Sequence, residues 1–177
     1  MSAQEILEKA LTVGMNRVGD RFASGEAFIP DLLIAAKAMN AAMVQLKPYF
    51  DTGEAHHRGT VVIGTILGDL HDIGKNIVRM VLEGDGWKVI DLGVNVDEGR
   101  FMSSIREHPG CIIAMSALLT TTMSNMESVA RQIKQEFPAT RIFIGGAPLN
   151  QSYADRIGAD GYFPDPQSFA RYIAQNA

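Results

Sequence analysis

Thr60-Val61-Val62-Ile63-Gly64-Thr65-Ile66-Leu67, followed at once by Gly68-Asp69-Leu70-His71-Asp72-Ile73-Gly74-Lys75-Asn76, decides how this chain folds. The first eight residues form a short apolar run of β-branched side chains, the pattern of a strand buried on both faces. From Ile73 the apolar residues recur at helical spacing, so the polar stretch between is a strand-to-helix loop. Its histidine lies outside any apolar stripe, on the kind of loop that faces the ligand crevice of an open α/β sheet.

The same alternation repeats downstream. Apolar runs at Lys88–Leu92, Cys111–Ser116, Arg141–Ile144 and Gly161–Phe163 are separated by helical patterns beginning near Asp97, Thr122, Gln151 and Asp165. Parallel strands need crossover connections, and right-handed crossovers place helices on both faces of the sheet. The expected fold is therefore α/β, a flavodoxin-like (Rossmann-like) five-stranded parallel sheet of order 2-1-3-4-5. Ahead of it lies a small helical cap. Leu7, Leu11, Met15, Val18 and Phe22 mark one amphipathic helix, broken at Ser24-Gly25-Glu26; Leu32, Ala36, Met39, Met43 and Leu46 mark another, closed by Pro48. The expected organisation is residues 1–52 as cap, 53–59 as polar linker and 60–177 as the α/β domain. Glu54, His56 and His57 fall in the linker; with no further ligand cluster nearby, solvated histidines are the commoner reading than a metal site.

Composition narrows the function classes. Of 177 residues 46% are hydrophobic, enough for one α/β domain with a helical appendage. A net charge of −4 offers no basic face to neutralise phosphates, which argues against nucleic acid. No run of about 18 apolar residues indicates a membrane span, no secretory signal is apparent, and a cytoplasmic protein is expected. The lone Cys111 can form neither an internal disulfide nor a cysteine-rich zinc site.

In order 2-1-3-4-5 the winding reverses between strands 1 and 3, and ligands bind at the carboxyl ends there. Those ends carry Gly68, Asp69 and His71 after strand 1. Ser116, Ala117, Leu118 and Thr120-Thr121-Thr122 follow strand 3, and Gly145-Gly146 follows strand 4. Small and hydroxylated residues converging on one loop histidine imply a narrow slot. No Gly-x-x-x-x-Gly-Lys-Ser/Thr or Gly-x-Gly-x-x-Gly loop follows strand 1, so a nucleotide is poorly supported. A phospho-receiver would need a second acidic cluster and gives His71 no place.

Gly68-Asp69-Leu70-His71-Asp72-Ile73-Gly74-Lys75-Asn76, Ser116-Ala117-Leu118 and Gly145-Gly146 together resemble the cobalamin-binding module of methionine synthase and of the corrinoid proteins serving methanol, methylamine and methoxy-aromatic methyltransferases. Gly14-Met15-Asn16-Arg17-Val18-Gly19-Asp20-Arg21-Phe22 and Phe28-Ile29-Pro30 resemble the helical cap of the same proteins, so the likeness covers nearly the whole chain. It implies cobalamin (methylcobalamin and its Co(I) form) bound base-off, with His71 as lower cobalt ligand and Asp69 and Thr122 behind it. Threonine at 122 in place of serine keeps the hydroxyl and adds a methyl. By the same resemblance Gly68, Asp69, His71, Asp72, Ile73 and Gly74 form the binding loop, while Ser116, Leu118, Thr120, Gly145 and Gly146 line the slot for the nucleotide tail. Phe22 and Ile29 cover the upper corrin face.

The resemblance further implies a methyl carrier shuttling between a substrate-specific methyltransferase and an acceptor methyltransferase using tetrahydrofolate or coenzyme M, with a reductive activase as a further partner. Imidazole ligation and protonation would be coupled to that transfer. The alternatives are a cobalamin-dependent sensor, or the cobalamin-binding subunit of a mutase. The family's cap is a four-helix bundle and only two long helices precede the linker, so a homodimer through the cap helices is expected.

Overall fold

In the computed structural model, which describes residues 1–53 and 55–176, the element order follows the hydrophobic pattern closely. Helix α1 (Ala3–Ile6), a π-helical turn (Leu7–Leu11) and α2 (Thr12–Ala23) precede α3 (Ile29–Asp51). Five strands and five helices then alternate: β1 (Thr60–Thr65), α4 (Ile73–Gly84), β2 (Lys88–Asp91), α5 (Glu98–Glu107), β3 (Ile112–Ser116), α6 (Met123–Glu136), β4 (Ile142–Gly145), α7 (Gln151–Ile157), β5 (Gly161–Tyr162) and α8 (Pro166–Gln175). The sheet order is β2-β1-β3-β4-β5, and the β1–β3, β3–β4 and β4–β5 pairs are parallel. Register sets Thr65 beside Ser116 and Ser116 beside Gly145, so the ends of β1, β3 and β4 are level.

The chain groups into two compact units. One comprises residues 60–76 and 89–164. Its core joins Val62, Ile113, Met115, Ile142 and Ile144 of the sheet to Phe101 and Ile105 of α5, Met126, Val129 and Ile133 of α6, and Tyr153 and Ile157 of α7. Each such side chain contributes roughly 1.5–3 kcal/mol by leaving water. Gly64 keeps β1 flat where Phe101 crosses it: a Cβ there would meet the Phe101 ring at 2.9 Å.

The other unit holds residues 1–59, 77–88 and 165–177. It thus takes in the later turns of α4 and all of α8, beyond the cap boundary drawn from chain order. Ser2 and Glu5 form a reciprocal capping box that starts α1. Leu7, Met15, Leu32, Ala36, Met39 and Leu46 are buried as the periodicity requires, while Leu11, Val18 and Phe22 are half-buried. The π turn widens the helix by one residue per turn, which shifts the face on which later residues fall. α2 stops at Ala23, before Gly25 at φ +80°. Pro48 does not close α3, which runs on to Asp51. Proline removes one N–H and the bond it would make, and in the final turns of a helix of 23 residues that loss is tolerated.

Partly buried polar contacts and a surface ion pair explain part of the Gly14–Phe22 motif. Asn16 Nδ2 donates to Asp85 Oδ1 at 3.4 Å, Gln167 Nε2 donates to Asn16 Oδ1 at 3.2 Å, and Arg171 pairs with Asp20. A Cβ on Gly19 would lie 1.9 Å from Gln167 Oε1, so glycine is what lets Gln167 pack there. Burial raises the Asp85 pKa against the opposing pull of Arg58 at 4.0 Å. Glu54 lies outside the described residues. His57 stacks on Phe50 with ring centroids 4.2 Å apart, and burial lowers its pKa.

Candidate functional site

The site begins where β1 runs out. Gly68 takes φ +86°, which only glycine adopts cheaply, and turns the chain across the end of the sheet. Its N–H donates to Asn95 Oδ1 at 2.8 Å, while the Asn95 N–H donates to the Asp69 carbonyl at 3.0 Å. Asn95 itself sits at φ +54°, a conformation asparagine tolerates better than most residues. Farther along, Lys75 buries its ammonium against both Asp91 carboxylate oxygens at 2.7 Å, which anchors the first turn of α4 to the end of β2.

Asp69 is fully buried and accepts four hydrogen bonds. Its Oδ2 receives Leu118 N at 2.6 Å and Leu119 N at 3.1 Å. Its Oδ1 receives His71 N at 3.0 Å and lies 2.7 Å from His71 Nδ1. Burial alone would raise the carboxyl pKa; the hydrogen bonds from Leu118 N, His71 N, the His71 ring and Leu119 N outweigh it and hold the group at about 2. An ionised carboxylate only accepts, so the short contact assigns the neutral imidazole's proton to Nδ1. The lone pair of Nε2 then points away from Asp69, on a side chain 52% exposed.

Several large apolar side chains near the strand ends are exposed. Leu70 is 70% and Ile73 75% exposed, and Leu67, Leu118 and Leu119 are exposed as well. Four large apolar side chains on loops at strand ends, with a fifth opening α4, are unusual unless something flat and apolar covers them. Among the described residues no group of three or more His, Cys, Asp or Glu side chains could hold a metal ion. A metal at His71 would therefore have at most one further protein ligand of these types, which fits an ion already held by its own macrocycle.

The other expected residues are distributed as follows. Ser116 is half-buried, with its Oγ 2.9 Å from Thr65 Oγ1. Thr120 is exposed at the start of a 3₁₀ turn. Thr122 is buried, and its hydroxyl donates to the Leu119 carbonyl at 2.9 Å rather than to Asp69, and accepts no capping bond from the first amides of α6. The two backbone amides of Leu118 and Leu119 occupy the far side of the carboxylate instead. Asp72 Oδ2 accepts Asn76 Nδ2 at 3.0 Å at the start of α4, and Gly74 has open space where a side chain would go. Gly146, at φ +140°, lies so close to β3 that an added Cβ would be 1.8 Å from the Ala117 carbonyl oxygen. In the helical unit Phe22 is half-buried near the end of α2, and Ile29, the first residue of α3, is 46% exposed.

Thr65, Asn95, Lys75 and Leu119 shape the loop without having been singled out in the sequence. Asn95 carried one usable signal, an asparagine two residues after Gly93 on a strand-end loop. Thr65 carried none, because threonine is an ordinary strand residue.

A buried carboxylate that fixes an imidazole, small strand ends and exposed apolar side chains beside them define a ligand-binding α/β domain with one histidine presented at the strand ends. The family profile described as the B12 binding domain matches residues 59–168, and a second profile of that description matches residues 1–47. Trimethylamine corrinoid protein 1 of Methanosarcina acetivorans is 45% identical over 162 residues, spanning 89% of this chain and 75% of that protein. A cobalamin-binding protein from Desulfitobacterium hafniense superposes with a TM-score of 0.83 at 36% identity, covering 99% of this chain and 83% of that one. The methanol:cobalamin methyltransferase complex MtaBC from Methanosarcina barkeri contains a chain matching with a TM-score of 0.86 at 28% identity, over 98% of this chain and 67% of that one. The chain belongs to the B12-binding corrinoid proteins, and its cofactor is cobalamin.

Proposed function

We propose that the protein is the methyl-carrying corrinoid subunit of a methyltransferase system, holding cobalamin base-off with His71 as the lower ligand. The observation that carries this reading is the Asp69 carboxylate, ionised by four hydrogen bonds and 2.7 Å from Nδ1, which leaves Nε2 free to ligate. When bound, the cobalt supplies an atom that accepts a methyl cation from one partner and gives it up to another.

The chain's own residues do the rest. Asp69 keeps the imidazole in one tautomer and one orientation. Gly145 and Gly146 bring backbone rather than side chains to the strand ends, and Ser116, Leu118 and Thr120 line the slot for the nucleotide tail. Thr122 orders the Leu119 turn whose amide reaches Asp69. Asp72 leads into α4, which Ile73 and Gly74 start, while Phe22 and Ile29 would shield the reactive face of the cofactor.

Likeness to a trimethylamine corrinoid protein favours a methylamine donor. The donor enzyme is a substrate-specific methyltransferase, the acceptor enzyme uses tetrahydrofolate or coenzyme M, and a reductive activase is a further partner. Val13, Leu33, Ile34, Val44 and Tyr49, exposed on the cap helices, and Phe28 just before α3 support a homodimer formed through them. Residues 53–59 serve as the linker ahead of the α/β domain.

The test is reconstitution with hydroxocobalamin and comparison of visible spectra for the parent and His71→Ala, then a methyl-transfer screen with methyltransferases for methylamines, methanol, betaines and methoxy-aromatics. The parent retains the corrinoid with a histidine-ligated spectrum, and the variant loses that spectrum. A parent spectrum unchanged by the substitution refutes the lower-ligand assignment.

A further inference from the structure

Thr65 ends β1 in complete burial, where an isosteric valine would satisfy a strand just as well. Its hydroxyl has one proton and two neighbours, the His71 carbonyl oxygen at 3.0 Å and Ser116 Oγ at 2.9 Å. A carbonyl can only accept, so the Thr65 proton goes to His71 and Ser116 must supply its own proton to Thr65 Oγ1. The chain of hydroxyls therefore has one direction, from β3 through β1 into the main chain of the histidine. Asp69 holds the amide and the ring of His71; the carbonyl of that residue is held by Thr65. The opposite end of the loop is fixed separately, by Asn95 on Gly68.

We propose that Thr65 is a positioning residue for His71: its hydroxyl, oriented by Ser116, sets the main-chain carbonyl of the ligand residue and thereby the height of the imidazole above the sheet. This rests on the reading of His71 as the lower ligand. Without the hydroxyl the loop keeps Asp69 but loses one of its main-chain anchors. Ordering it then counts against ligation.

The full-length protein is loaded with hydroxocobalamin and, in parallel, with cobinamide, which has no nucleotide base. The parent, Thr65→Val, Thr65→Ser and Ser116→Ala are compared by circular dichroism, by the histidine-ligated fraction in visible spectra, and by amide hydrogen exchange of residues 69–72 in the unloaded protein. Thr65→Val is expected to keep its circular dichroism and lower the ratio of ligated to unligated histidine about five-fold with both corrinoids, the effect of one typical hydrogen bond. Exchange in the unloaded loop accelerates by a similar factor, and Thr65→Ser restores both. Parent-like ligation in Thr65→Val overturns the proposal, as does failure of serine to rescue. A deficit seen only with cobalamin also overturns it, because it assigns Thr65 to the tail slot. If Thr65→Val does not fold, Ser116→Ala decides, since it removes the donor that orients Thr65: about a two-fold loss with cobinamide supports the proposal, and none overturns it. A parent spectrum indifferent to His71→Ala refutes the ligand reading instead, and the exchange rates of the unloaded loop still decide whether Thr65 holds His71.

Discussion

Gly146 touches neither Asp69 nor His71, yet its replacement by alanine should damage both the fold and the site. The residue sits at φ +140°, where a side chain is strained by about 1–3 kcal/mol. The new Cβ would fall 1.8 Å from the Ala117 carbonyl oxygen and 2.9 Å from its carbon. Those atoms are backbone, so relief requires moving a strand end rather than a rotamer, at a further cost of about 1–3 kcal/mol. Together the two effects predict a loss of about 2–6 kcal/mol, seen as a fall of about 1–3 M in the urea midpoint followed by circular dichroism. The displaced segment leads directly into Leu118 and Leu119, whose amides hold Asp69, so retention of a histidine-ligated corrinoid should fall as well. Gly14→Ala is the control: it lies in α2 with nothing within 4 Å of the added carbon, and should gain about 0.5–1 kcal/mol from helix propensity. A Gly146→Ala protein within about 1 kcal/mol of the parent would refute the steric argument.

Three further outcomes follow from the same geometry. Because the Asp69 pKa in the folded protein, about 2, lies below its ordinary 3.8, the group adds about 2 kcal/mol of stability above pH 4 that is lost as pH falls toward 2; an acid titration should show this limb, and Asp69→Asn should lack it. At neutral pH Asp69→Asn sets an amide N–H₂ against groups that already donate, so it should cost about 1–3 kcal/mol in denaturant melts and weaken corrinoid retention about 10–100-fold by equilibrium dialysis. Sedimentation across a concentration series should show a dimer that Ile34→Glu or Val44→Glu dissociates, since both side chains are exposed on α3; a monomer at all concentrations would refute association through the cap.

Much of this architecture was readable from local pattern. The five apolar runs, each followed by helical spacing, correspond to the observed strands and helices within a few residues, and parallel pairing with right-handed crossovers left few strand orders to consider. His71 and Asp69 stood out because two residues on a strand-end loop meet through a local contact that spacing can reveal. Pro48 misled, because a proline in a late turn removes one hydrogen bond and need not end a helix. Thr122 was legible as a hydroxyl near the site, but which carbonyl that hydroxyl serves depends on how the turn at Leu119 folds.

The sequence by itself determined the alternation of elements, the strand end carrying the histidine and the family to which the chain belongs, since all of these rest on periodicity and motifs within short windows. Only the tertiary structure decided what holds that histidine. Leu118 and Leu119 reach Asp69 across 49 and 50 residues, Ser116 meets Thr65 across 51, and Asn95 meets Gly68 across 27. Such contacts exist only once β1, β2 and β3 lie side by side, so neither the ionisation of Asp69 nor the free nitrogen of His71 is written in any one segment.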